Sequence, residues 1–181
     1  MGDSMCEEHS SGKLTRRGFA GLLTVSAALS LLPIRAAAAG NIPTALSLMC
    51  IDYRFINAGV AFFNDVTKQV PNDYDLVAMA GASLAGIQTT KFPKEKDAFY
   101  EQVGAARFLH PYINRVIVLD HLTCGAYKEE FGPMTPEQER QKHEEVAQVV
   151  WNEFLRLGLH SDFFILDDKT LQITRLYPHV K

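Results

Sequence analysis

The chain has 181 residues, 47% of them hydrophobic and 22% charged, with 12 Gly, 8 Pro and a formal net charge of -3. That composition is average for a soluble globular domain and excludes disorder, collagen-like repeats and low complexity. The mildly acidic balance gives no basic footprint for nucleic acid, and three cysteines are too few for a disulfide framework.

The first 39 residues read as an address. A polar opening leads to Thr15-Arg16-Arg17-Gly18-Phe19, a weakly apolar run continues to Ile34, and Arg35-Ala36-Ala37-Ala38-Ala39 follows. A basic pair, a short apolar stretch and a small-residue cleavage site are the three parts of an export signal. Pro33 and Arg35 close the run short of the ~20 strongly apolar residues of a spanning helix, so no stable membrane anchor is expected. The paired arginines followed by Phe19 resemble a twin-arginine signal, whose machinery moves folded proteins; this implies a bacterial periplasmic or exported location. The competing reading makes the segment an amphipathic first helix of the domain. With the signal removed, residues 40–181 form one domain, and Cys50 and Cys124 are its only cysteines.

Along that domain, residues 45–52 (ALSLMCID) form an apolar run of strand length, and residues 55–66 carry helix-spaced apolar positions. Residues 75–80 (DLVAMA) predict a second buried strand ended by Gly81. A helix is expected over 94–109 and a strand over 115–122 (RVIVLDHL). Thr135-Pro136-Glu137-Gln138 is a capping box with proline at the first helical position. The helix it opens has apolar residues at 146, 147, 150, 151, 154 and 157, with Gly158 as its C-terminal cap. His143 lies beside that face and reads as a core histidine. Residues 163–166 and 171–176 flank Asp167-Asp168-Lys169-Thr170 as a closing hairpin. Strands alternating with helices predict a single α/β domain, a mainly parallel sheet flanked by helices.

Two clusters could do chemistry, and both sit at C-terminal strand ends, where open α/β sheets place their sites. In Cys50-Ile51-Asp52-Tyr53-Arg54 an extended backbone would put Cys50, Asp52 and Arg54 on one face. In His121-Leu122-Thr123-Cys124-Gly125 an i, i+3 pair at a strand-to-helix turn can converge. Together they offer two thiolates and an imidazole, three ligands for tetrahedral zinc with a fourth position open. A Cys50–Cys124 disulfide is the structural alternative, since an exported protein meets an oxidising compartment. Cys50 is not a phosphatase nucleophile of the C-x5-R type, because Arg54 comes only four residues later with no glycine-rich loop between.

The C-x-D-x-R and H-x-x-C-G segments, each after a strand, resemble those of the β-class carbonic anhydrases. Residues 41–54 resemble the family's Q-x-P…C-x-D-x-R stretch. Residues 75–81 (DLVAMAG) resemble its D-L-x-V-x-R-N-A-G strand, residues 101–128 its helix, strand and H-x-x-C-G turn, and residues 163–176 its terminal hairpin. The resemblance implies one zinc ion per chain, held by Cys50, His121 and Cys124, with water or hydroxide as fourth ligand. The zinc-bound hydroxide would attack CO2 and give bicarbonate. Asp52 would orient the hydroxide and Arg54 would keep Asp52 ionised. Asn41 and Gly81 would line the substrate pocket, and the protein would be a homodimer. In some family members the aspartate instead binds zinc at lower pH and shuts the site.

Several positions depart from the family. Asn41 stands where the family has glutamine, Ala78-Met79 where it has Arg-Asn, Asp120 where a glycine precedes the zinc histidine, and Tyr53 where the residue is usually small. The Asp120 side chain is expected to bring a new carboxylate beside the metal. These changes leave two other readings: a hydrolase of carbonyl sulfide or carbon disulfide on the same scaffold, and a non-catalytic protein stabilised by zinc or a disulfide.

Overall fold

In this computed structural model, residues 43–67 and 73–178 are described. The export-signal segment 1–39 and Asn41 lie outside the described residues.

The strands are β1 (Ala45–Cys50), β2 (Tyr74–Met79), β3 (Arg115–His121), β4 (His160–Leu166) and β5 (Ile173–Tyr177). The helices are α1 (Ile56–Thr67), α2 (Glu95–Leu109), α3 (Gly125–Phe131) and α4 (Pro136–Arg156), with 3-10 turns at Tyr53–Phe55 and Ala82–Gly86. The sheet order is β2-β1-β3-β4-β5. β1 pairs in parallel with β2 and β3, β3 pairs in parallel with β4, and only β5 runs antiparallel to its neighbour β4. This is the single α/β domain, mainly parallel with a closing hairpin, that the strand–helix alternation predicts.

Both sheet faces are covered, which is why β1 is buried at all six positions and lacks polar alternation. On one face Met49, Ile117, Leu119 and Leu166 pack with Phe55 and Phe63, against which Ala58, Phe62 and Val66 of α1 lie. On the other, Leu46, Leu48, Val116 and Val118 meet Phe99 and Val103 of α2 and Ala147, Val150 and Phe154 of α4. Each fully buried aromatic such as Phe63 or Phe154 contributes about 1.5–3 kcal/mol by leaving water. Helix α4 begins as its capping box requires: Thr135 accepts from the Gln138 amide while the Gln138 side chain accepts from the Thr135 amide. Past its end Gly158 takes φ 72°, the left-handed conformation of a C-terminal cap.

The order of strands places the site. From β1 the chain moves to β2 on one side, then crosses back to β3 on the other side. The C-terminal ends of β1 and β3 therefore flank a switch point, where loops diverge and leave a crevice.

Candidate metal centre

Cys50 closes β1 and His121 closes β3, while Cys124 is the N-cap of α3. Their ligand atoms all lie within 4.8 Å of one another, and all three residues are buried. Both cysteines are free thiols, not a disulfide. The His121 Nδ1 lies 2.8 Å from the Leu122 carbonyl oxygen. A carbonyl can only accept, so Nδ1 carries a hydrogen, and in the neutral ring that a metal ion requires, Nε2 keeps its lone pair. That Nε2 is buried and has no hydrogen-bond partner. A buried, unpaired acceptor costs about 1–3 kcal/mol, and it sits between two thiols. Two sulfurs, an imidazole lone pair and an oriented ring fit a tetrahedral, thiophilic metal ion.

The electrostatics favour thiolate at this point. A hydrogen bond from Cys124 pulls the Cys50 thiol down to about 4 despite burial, helped by His121 and by the Gly81 amide. The same contact with Cys50, together with burial, pushes Cys124 up. The Gly81 N–H donates to Cys50 Sγ at 3.4 Å. Gly81 holds φ 74°, and a Cβ there would come within 2.8 Å of Leu84 Cβ, so the close approach needs glycine.

Asp52 and Arg54 stand beside the cluster, by a route other than strand alternation. The strand ends at Cys50, and Asp52 caps the 3-10 turn of residues 53–55 by accepting from the Arg54 amide at 3.1 Å. The extended-chain expectation for residues 50–54 is thus corrected: a local side-chain-to-backbone bond competes with the strand. The turn swings the Arg54 guanidinium back onto the carboxylate, with Nε at 3.0 and 3.1 Å from its two oxygens and an Nη at 2.6 Å from Oδ2. These bonds from Arg54 hold the Asp52 carboxyl at about 2, against a modest burial cost. Asp52 Oδ2 lies 3.8 Å from His121 Nε2.

Asp120 is also corrected. Its carboxylate is not offered to the metal cluster: Oδ1 accepts from the Ser83 amide at 3.0 Å and Oδ2 from the Ser83 hydroxyl at 2.5 Å. Ser83 Oγ in turn lies 2.8 Å from the Tyr127 hydroxyl, and Asp120 Oδ2 lies 3.2 Å from Nδ1 of the fully buried His143. His143 is the core histidine that its helix position predicts, with its ring set between the Asp120 and Glu139 carboxylates. Ser83, Tyr127 and Glu139 carry no sequence signal of their own for this cluster; the one local hint is the i, i+4 spacing of Glu139 and His143.

A cleft of about 480 Å³ opens over the centre, lined by Cys50 and Cys124, by Asp52 and Arg54, and by the apolar Ile51, Tyr53, Ala80 and Phe92. The loop carrying Phe92 is tied to α3 through Glu130, whose carboxylate accepts from the Thr90 and Lys91 amides at 2.9 and 3.0 Å. Among the described residues no helix is long and apolar enough to cross a membrane.

Comparison with known proteins places the fold. The carbonic anhydrase of Streptococcus mutans superposes with a TM-score of 0.53 at 16% identity, over 88% of this chain and 97% of that one. The chain shares that enzyme's fold. It is the β-carbonic-anhydrase-like architecture that the paired motifs imply. No family model matches the chain. An uncharacterized protein of Rickettsia bellii is 28% identical over 145 residues, covering 76% of this chain and 86% of its own. A second, from Rickettsia conorii, is 26% identical over 140 residues, covering 74% and 73%.

Proposed function

We propose that the chain is a zinc-dependent carbonic anhydrase that reversibly hydrates CO2 to bicarbonate, with Cys50, His121 and Cys124 as the ligands of one zinc ion. The observation that carries this reading is the convergence of three buried donor atoms within 4.8 Å, at the foot of a cleft that also holds the Asp52–Arg54 pair. Zinc supplies Lewis acidity that makes water nucleophilic near neutral pH.

The remaining work falls to side chains. Asp52, ionised far below neutral pH, offers Oδ2 only as an acceptor, so it orients a water proton away from the substrate. Arg54 locks that carboxylate in direction and cancels its charge toward the cleft. Ile51, Tyr53, Ala80 and Phe92 give an apolar wall suited to a small, uncharged linear molecule. Gly81 holds Cys50 through its amide, while Asn41 remains a proposed pocket residue from the sequence.

By the same reading the protein is exported with residues 1–39 as its twin-arginine-type signal, and it works as a homodimer. The test is a stopped-flow hydration assay on purified zinc-loaded protein, run beside carbonyl sulfide and carbon disulfide. CO2 hydration that is lost in Asp52→Ala while zinc is retained supports the reading. Zinc-loaded protein inert to CO2 but active on a sulfur analogue overturns the substrate and keeps the site.

A further inference from the structure

We propose that Glu139 is the positioning residue of the Cys124 loop: its buried carboxylate clasps the Thr123–Cys124 backbone and so aims the Cys124 sulfur. The role at the metal rests on the zinc reading above, whereas the clasp itself does not. Glu139 is 8% exposed, on the first turns of α4. Its Oε1 accepts the Cys124 amide at 2.9 Å and its Oε2 the Thr123 amide at 3.0 Å. One carboxylate thus satisfies two successive N–H groups of a loop 15 and 16 residues away in sequence.

That loop needs holding. Thr123 has φ 57°, a left-handed conformation unfavourable for a β-branched residue. Such strain persists only where the surroundings over-determine the backbone. Cys124 is the N-cap of α3, and its own amide donates to Glu139. Glu139 is held in turn by α4. One helical turn on, His143 places Nε2 at 3.9 Å from Glu139 Oε1 and Nδ1 at 3.2 Å from Asp120 Oδ2. The Tyr127 ring stacks on His143 at 3.6 Å. One buried cluster therefore engages the Asp120 side chain just ahead of His121 and the Thr123 and Cys124 amides just after it. A cavity of about 350 Å³ lies behind, bordered by Thr123, Cys124, Lys128, Met134 and Glu139. The clasp holds the loop at the edge of this cavity, beside the Thr123 hydroxyl, which donates to Asp168 Oδ2 at 3.0 Å, and the Thr123 carbonyl, which accepts from Arg54 at 3.4 Å.

The experiment compares the parent with Glu139→Gln, which keeps the side-chain shape but turns an NH2 toward one of the two amides. Hydrogen exchange on metal-free protein should show the Thr123 and Cys124 amides exchanging about tenfold faster or more in the variant. Zinc affinity, measured by chelator competition, should fall about 10–100-fold. Thr135→Ala, which removes the N-cap of the same helix, should lower Tm while leaving zinc affinity unchanged; this separates positioning from general stability. If Glu139→Gln does not fold, Glu139→Asp, which is too short to reach both amides, carries the same readouts. Unchanged exchange at both amides, or unchanged zinc affinity in the variant, would overturn the proposal. Faster exchange with no zinc bound by the parent would instead overturn the zinc reading and leave the clasp standing.

Discussion

An imidazole nitrogen buried without a partner is expensive, and His121 Nε2 is one, facing two thiols. Filling that position with a metal ion turns a cost into a bond. The ligand roles therefore make separable predictions. Cys124→Ser should purify without stoichiometric metal, because a serine hydroxyl is a poor thiolate substitute; elemental analysis reads this directly. Asp52→Ala should retain the metal yet lose at least about 10–100-fold in activity, the usual cost of removing a group that orients the reacting water. A variant with full activity would refute the role assigned to Asp52. Gly81→Ala should destabilise the fold by about 1–3 kcal/mol in denaturant melts, since it adds a Cβ at φ 74° and 2.8 Å from Leu84 Cβ. The three residues of the candidate metal centre were legible in the sequence because thiol and imidazole chemistry is distinctive. Glu139 was not: its partners are backbone amides 15 and 16 residues away, and a surface-looking Glu on a helix gives no sign of them.

At the scale of elements, the long strands and helices declared themselves by period. The RVIVLDH run of β3 and the capped, periodic α4 appear in the structure at the expected positions. Short elements did not. The turn of residues 53–55 depends on one bond from the Arg54 amide to Asp52, which overrides strand alternation. Helix α3 has seven residues, too few for a hydrophobic period to show. The hairpin end of the sheet carries a testable pH dependence. Asp162 on β4 accepts from Arg115 of β3 at 2.7 and 3.0 Å and from Arg175 of β5 at 2.5 Å. Burial opposes its ionisation, but the two arginines overcome this and hold its carboxyl below the ordinary 3.8. A depressed folded-state value means stability that is present above the unfolded value and lost as pH falls through the folded one. Asp162→Asn should therefore cost about 1 kcal/mol at pH 7, solvent screening keeping it small. The gap from the parent should start to narrow as pH falls below the ordinary carboxylate value of 3.8. A gap unchanged at pH 3 would contradict the assignment.

For the whole molecule, the strand order β2-β1-β3 creates the crevice, and the two motifs stand at its edges. That relation is legible in the sequence, because each motif follows a clear strand. The Asp120 carboxylate was not placed by the sequence, since its engagement depends on Ser83, 37 residues earlier, and on His143 of α4. Ile51 and Tyr53, 59% and 83% exposed beside the cleft, are costly apolar surface for a lone chain and accord with the proposed homodimer. Sedimentation should give about twice the chain mass at micromolar concentration, and a monomer throughout would contradict that. Zinc content decides the metal centre, read by elemental analysis on protein purified without added metal or chelator, with thiols titrated before and after chelation. About one zinc per chain is expected, with Cys50 and Cys124 becoming reactive only once the metal is removed. No zinc, with both cysteines locked in a disulfide, would contradict it.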